Sequence, residues 1–301
     1  MTPAGWRKQD RRWQDRLIAW GARRIVRPLL HIPQPWAVHR AGFALTAALR
    51  WPVREVKTHK MQLAGRATLV ITPPDPQRRI CWFHGGGFVL GSPHTHRVML
   101  SYLAHAARAT VIAPSYRLAP EHPFPAATDD ATATAMAAWH YAPDMGPLVL
   151  GGDSAGGGLA LTAMAHMLHH GHRPQACLLA SPATWMDANR TVPVANDLLF
   201  PLSVLRRIGQ DYSADHDPND PRLSPRFAAY PDAPPTLIHC VRREYLEQDS
   251  DLIAHCMAEF GAQVTVEKAE GVPHVWHFMA GLSPIANDAI ARMGDFVRRH
   301  T

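Results

Sequence analysis

The chain has 301 residues, with 31 Lys and Arg against 25 Asp and Glu, giving a formal net charge of +6 and a pI near 9.4. Apolar residues make up 47% and charged ones 19%. This excludes disordered and collagen-like chains, and a chain of this length can build a core without disulfide or metal staples. No run of about 18 apolar residues occurs, so no transmembrane segment is expected.

In chain order, the first element is the stretch Trp6–Arg27, crowded with arginines and lacking the apolar core of a secretion signal. Trp6, Trp13, Leu17 and Trp20 fall at near-helical spacing among the cations, which reads as a basic amphipathic helix. Its tryptophans are expected to pack on their own domain, the alternative being a membrane surface. Residues 1–52 form a separate N-terminal segment, and the regular pattern begins at Val53. Strands are predicted at Val53–Leu63, Ala67–Thr72, Ile80–Phe83, Thr110–Ala113, Leu148–Leu150, Ala176–Ala180, Thr236–Val241 and Gln263–Lys268. Helices are predicted near Arg97–Arg108, Pro125–Tyr141, Ala155–His170, Ser203–Tyr212, Asp249–Gly261 and Pro284–His300. Strands alternating with helices of this length imply βαβ crossovers, hence an α/β fold with a mostly parallel sheet over residues 53–301. The proline-dense excursion Pro182–Pro235 breaks the rhythm and reads as a lid or binding loop.

Several function classes recede. The basic excess sits in the first thirty residues and at Arg298 and Arg299, with no zinc-finger, RNA-binding or helix-turn-helix signature, so no nucleic-acid partner is expected. Cys81, Cys177, Cys240 and Cys256 are widely spaced without a CxxC motif, and three of them sit in apolar strand-like runs that read as buried thiols, which fits a reducing cytoplasm. His166, His169, His170 and His172 cluster at a helix end without carboxylate or cysteine ligands, so no metal site is expected.

Two glycine-rich motifs carry chemistry. Gly152-Asp153-Ser154-Ala155-Gly156 follows an apolar strand and opens a helical run, the setting in which a sharp turn exposes a serine hydroxyl as a nucleophile. It also puts the Ala155 amide at a helix N-terminus, where an anion is favoured. Earlier, Ile80–Phe83 runs into His84-Gly85-Gly86-Gly87-Phe88. Bare glycine backbone lets N–H groups approach the oxyanion of acyl transfer, and Gly85 and Gly86, joined by Ala155, are the expected donors. A phosphate loop is the competing reading, but no GK[ST] or GxGxxG follows.

HGGGF, then Ser115–Ala127 (SYRLAPEHPFPAA), then GDSAGG, in this order, is similar to the bacterial hormone-sensitive-lipase-like esterases, family IV of the α/β-hydrolase fold. The resemblance covers roughly Val53 to the C-terminus. It implies a cofactor-free serine carboxylesterase acting on small esters, with a helical cap built from residues 1–52 and an insertion near 185–225. The chain order of this fold places the base after the last strand, at His274, with His277 as fallback. The acid follows Thr236–Val241, where Glu244 lines up with the family pattern and Asp249 is the runner-up. Here the chain departs from its relatives: Val241 stands where a glycine is usual, and Arg242 and Arg243 precede the acid, facing either the carboxylate or solvent. Asp153 is expected to act behind the reacting groups, and Ser115–Ala127 to be structural. Trp185 and Met186 are candidates for lining an acyl or alcohol pocket. The expected activity is hydrolysis of short-chain carboxylic esters or lactones by a cytoplasmic monomer or homodimer. The rival is a non-catalytic small-ligand receptor on the same fold.

Overall fold

The apolar runs assemble into one eight-stranded sheet. In chain order its strands are β1 (Lys57–Leu63), β2 (Arg66–Thr72), β3 (Arg78–Phe83), β4 (Ala109–Pro114), β5 (Leu148–Asp153), β6 (Ala176–Ala180), β7 (Thr236–Val241) and β8 (Val264–Ala269). The spatial order is β1-β2-β4-β3-β5-β6-β7-β8. β2 runs antiparallel to both β1 and β4, and every pairing from β4 to β8 is parallel. The computed structural model describes residues 5–187, 190, 197–213 and 215–301, so parts of the expected 185–225 insertion lie outside the described residues.

β4 to β7 are buried at every position, as strands covered by helices on both faces must be. Each fully buried side chain of the type of Ile80, Ile112 or Leu150 contributes about 1.5–3 kcal/mol of transfer free energy. β1 is exposed along most of its length, and its Lys57 and Lys60 keep the sheet edge from pairing with another chain. The covering helices include α4 (Pro93–Ala107), α5 (Ala126–His140), α6 (Ala155–His169), α8 (Glu247–Glu259) and α9 (Pro284–His300). α4 starts earlier than the apolar period suggests. Ser92 and Thr95 form a reciprocal cap ahead of it, with Thr95 N–H donating to Ser92 Oγ (3.2 Å) and Ser92 N–H to Thr95 Oγ1 (2.9 Å).

The N-terminal segment differs from expectation. The single helix predicted over Trp6–Arg27 is a 3-10 turn, then α1 (Trp13–Gly21), a π-helical turn (Ala22–Val26) and α2 (Arg27–His31). Trp6 packs inside, edge-on to Trp276 and His239, with its indole N–H donated to Asp288 (2.6 Å). Trp13, Leu17 and Trp20 do not pack: they are 69%, 57% and 56% exposed. The inward face of α1 is Asp15, Ala19 and Ala22 instead, because Asp15 accepts from Ser283 Oγ at the head of α9. A further helix, α3 (Trp36–Ala48), was not legible as a period because it is apolar almost all round.

α7 (Leu202–Ser213) lies in the excursion and meets the N-terminal segment. Trp36 donates its indole N–H to Asp211 (2.5 Å), and the Arg207 guanidinium stacks 4.1 Å from the Trp36 ring. Arg40 on α3 reaches Val89 O and Ala119 O (2.7 and 2.8 Å) and grips Glu121 through two bonds. The segment is thereby tied to the loops that follow β3 and β4.

Candidate active site

β3 and β5 are neighbours in the sheet, with Phe83 opposite Gly152, so the loops leaving their carboxyl ends emerge side by side. At the end of β5 the chain turns within one residue into α6. Ser154 takes φ 53°, ψ −123°, an energetically unfavourable conformation for a residue with a Cβ. The turn is possible because a Cβ at Gly152 would collide with Gly156 O, and one at Gly156 with Phe83 O. Ser154 is half-buried and lines a small cavity of about 90 Å³ together with His274, Ala155 and Gly87.

His274 follows β8. Its Nδ1 lies 2.6 Å from Glu244 Oε2, while Glu244 Oε1 accepts from Ser181 Oγ (2.6 Å) and Val241 N–H (2.9 Å). The ionised carboxylate thus fixes the imidazole with Nδ1–H toward Glu244 and Nε2 as the acceptor. Nε2 is buried and has no hydrogen-bond partner among the described residues. Burial pulls the His274 pKa down, but the Glu244 charge and hydrogen bond, aided by Asp197 and Asp153, outweigh it and hold the pKa above the ordinary value. The Phe200 ring stands edge-on to His274 at 5.2 Å.

The competing candidates sit elsewhere. Asp249 accepts from the Thr184 and Trp185 amides (2.8 and 3.1 Å) and pairs with Arg190 (2.6 Å), bracing the start of the excursion. His277 turns away from the cavity and bonds His239 (2.9 Å); burial, with His239 beside it, pushes its pKa well down. Of the two departures beside the acid, Arg242 is exposed and faces Glu270 (3.4 Å). Arg243 is also exposed and takes the left-handed backbone (φ 68°). Both guanidinium groups take the solvent alternative.

Asp153 is buried directly before Ser154 in the chain. It accepts from the Trp82 indole (2.9 Å) and Gly85 N–H (3.1 Å), and His96 Nε2 lies 3.2 Å from the same Oδ2 as Gly85. Burial alone would raise its pKa, but His96 and Trp82 hold it below the usual carboxylate value. The Gly85 N–H, expected to face an oxyanion, is directed instead at Asp153 Oδ2 (3.1 Å), with His96 Nε2 also within reach (3.2 Å). Gly86 and Gly87 both have positive φ, and neither N–H is used in a backbone bond among the described residues. Gly87, which the sequence reading passed over, reaches the cavity wall.

The Ser115–Ala127 segment is structural, as expected. The Tyr116 hydroxyl donates to His84 O (2.7 Å) and its ring stacks on His84 at 4.2 Å. Arg117 binds Asp130 through its amide and guanidinium, so Asp130 braces this loop. Trp185 and Met186 both reach the cavity, with Trp185 beneath the Arg226 guanidinium (4.6 Å). The apolar stripe of α7, Leu202, Leu205 and Ile208, also lines it. Its helical spacing was visible in the sequence, but nothing local showed what it faces.

A family model described as alpha/beta hydrolase fold matches residues 80–278. An acetyl-hydrolase of Streptomyces hygroscopicus is 36% identical over 230 residues, covering 74% of this chain and 76% of that one. The esterase LipI of Mycobacterium tuberculosis is 32% identical, covering 71% of this chain and 70% of that one. The crystal structure of an esterase from the bacterial hormone-sensitive lipase family superposes with a TM-score of 0.85 at 30% identity, covering 95% of this chain and 97% of that one. Sheet order, strained serine turn and these likenesses agree: the chain belongs to the alpha/beta hydrolase fold family, among its esterases related to bacterial hormone-sensitive lipase.

Proposed function

We propose that this carboxylic ester hydrolase works through an acyl-enzyme formed on Ser154. His274 Nε2 takes the Ser154 proton as the hydroxyl attacks the ester carbonyl, and Glu244 holds the imidazole in the accepting tautomer and stabilises the imidazolium. The oxyanion is bound by the amides of Gly86, Gly87 and Ala155, the last at the N-terminus of α6. His274 then protonates the leaving alcohol, and water repeats the sequence to release the acid. The observation that carries this reading is the buried Glu244–His274 bond, with an Nε2 that has no partner among the described residues in the wall of the cavity that Ser154 lines.

The cavity is small and its walls, Trp185, Met186 and the α7 stripe, are apolar, which supports short acyl chains in esters or lactones. Residues 1–52 and the excursion near 185–225 act as the cap over it, supported by the Trp36–Asp211 and Arg40–Glu121 ties. We further infer a reducing, cytoplasmic setting, supported by four unpaired cysteines, with the chain acting as a monomer or homodimer. A receptor role would leave the Glu244–His274 pair without a task. The test is hydrolysis of a p-nitrophenyl ester series from acetate to laurate by wild type and Ser154→Ala. Turnover that collapses in the variant supports the reading. A wild type inactive on every ester and on a small lactone panel overturns it.

A further inference from the structure

Of the fourteen large apolar side chains exposed among the described residues, eleven lie between Trp13 and Trp51. They are arranged by helix face. On α1, Trp13, Leu17 and Trp20 form one outward stripe opposite the buried Asp15, Ala19 and Ala22. On α3, Arg40 turns inward onto Val89, Ala119 and Glu121, and every exposed position is uncharged, with Val38 and Leu45 at 54% and 63% exposure. Leu49 and Trp51 extend that surface at 67% and 82%. A helix apolar all round normally lies inside a protein or against lipid, and α3 is not inside.

The two faces are anchored to one short piece of chain. Asp15 of α1 accepts from Ser283 Oγ, Arg50 just after α3 donates to Phe278 O and Ala280 O, and Leu282 between these anchors is itself 57% exposed. Around these faces the charge is one-sided. Residues 1–51 contain ten Lys and Arg against only Asp10 and Asp15, leaving 21 Lys and Arg against 23 Asp and Glu in the rest of the chain. The whole basic excess therefore sits on the apolar segment.

From this combination we infer that the N-terminal helices dock the protein on an anionic lipid surface. The indoles of Trp13, Trp20 and Trp51 and the aliphatic side chains of α1 and α3 enter the headgroup boundary, and the arginines, Arg23 and Arg24 among them, meet lipid phosphate and carboxylate. Indole suits that boundary because its body is apolar and its N–H is polar. A second copy of the chain is the other way to cover an apolar face. A two-fold pair would bring two strongly basic segments together, whereas an anionic bilayer complements them. The reaction at Ser154 plays no part in this argument, so binding and turnover fail independently.

The experiment is co-sedimentation of the full chain with vesicles of phosphatidylcholine alone and of phosphatidylcholine with phosphatidylglycerol, alongside sedimentation velocity without lipid. Binding to the anionic vesicles only, weakened by salt, is expected. Arg23→Glu/Arg24→Glu should lower partitioning at least about tenfold, as should Trp13→Ala/Trp20→Ala and Leu45→Glu. Each variant should keep the wild-type circular-dichroism spectrum and urea midpoint, showing that the fold is intact. No vesicle binding, equal binding to neutral vesicles, or self-association that Leu45→Glu abolishes without any vesicle binding would each overturn the inference.

Discussion

Glu244→Gln is nearly isosteric, yet the geometry makes it severe. Glu244 Oε1 sits between two donors, Ser181 Oγ and the Val241 amide. The hydroxyl can rotate, but the amide at 2.9 Å can only donate, so a glutamine must place its carbonyl oxygen there. Its NH2 group then points at His274 Nδ1, which must accept. The imidazole proton moves to Nε2, and the ring can no longer take the Ser154 proton. Losing the tautomer-holding acid in a serine triad costs about 10³–10⁴ in kcat, equivalent to about 4–5.5 kcal/mol of transition-state stabilisation, with little change in KM.

The pH profile adds a second readout. In the proposed mechanism catalysis needs neutral His274, so activity should fall as pH drops through its pKa. Because Glu244 holds that pKa above the ordinary value, the acid limb of kcat/KM in wild type should lie above about 6.5. In Glu244→Gln the raising charge is gone and burial remains, so the limb of the residual activity should move to lower pH. Both are measured by steady-state hydrolysis of p-nitrophenyl butyrate between pH 5 and 9, with circular dichroism to show folding. Glu244→Gln within tenfold of wild type, or an unshifted acid limb, would refute the argument from the fixed amide.

Three further outcomes follow from other parts of the structure. Asp153→Asn sets an NH2 group against donors already aimed at both carboxylate oxygens, so urea unfolding should show a loss of about 2–3 kcal/mol. Because the Asp153 pKa is depressed in the fold, the stability it adds is complete above the unfolded value and lost as pH falls through the folded one, so wild type and variant should converge in acid. Burial pushes the Cys81 and Cys177 thiols up to about 12, so a maleimide at neutral pH should leave both unmodified in the native protein and react with the half-buried Cys256 alone. Met186→Ala enlarges the cavity by most of a side chain and should move the preferred p-nitrophenyl ester to a longer acyl chain, read as the ratio of kcat/KM values along the series.

β6, β7 and α9 have the bounds that their apolar runs indicate, since buried parallel strands and a strongly two-faced helix leave unambiguous patterns. The proposed triad of Ser154, Glu244 and His274 could be singled out for a different reason: strand-turn-helix chemistry at Ser154 is local, and the resemblance supplied the other two. What stayed hidden depends on partners far away in sequence. Gly85, Gly86 and Gly87 look alike, and only Asp153, 68 residues later, sets the Gly85 amide apart. α3 lacks a polar face to give it a period, and the outward tryptophans of α1 have the same spacing that inward ones would have. Phe200 and Asp197 lie in irregular chain, where no pattern marks a residue that will stand beside His274.

The placement of β3 beside β5 bears on when the site comes into being. These strands are adjacent in space but are separated in the chain by α4, β4 and α5, and the Trp82–Asp153 bond spans 71 residues. Contacts of such separation form only after the intervening loop has been closed against its entropy. No fragment ending before β5 contains the serine turn, and none ending before His274 contains the proposed base. Activity recovered during refolding should therefore trail the recovery of helical signal, because the catalytic arrangement is one of the last things this topology can complete.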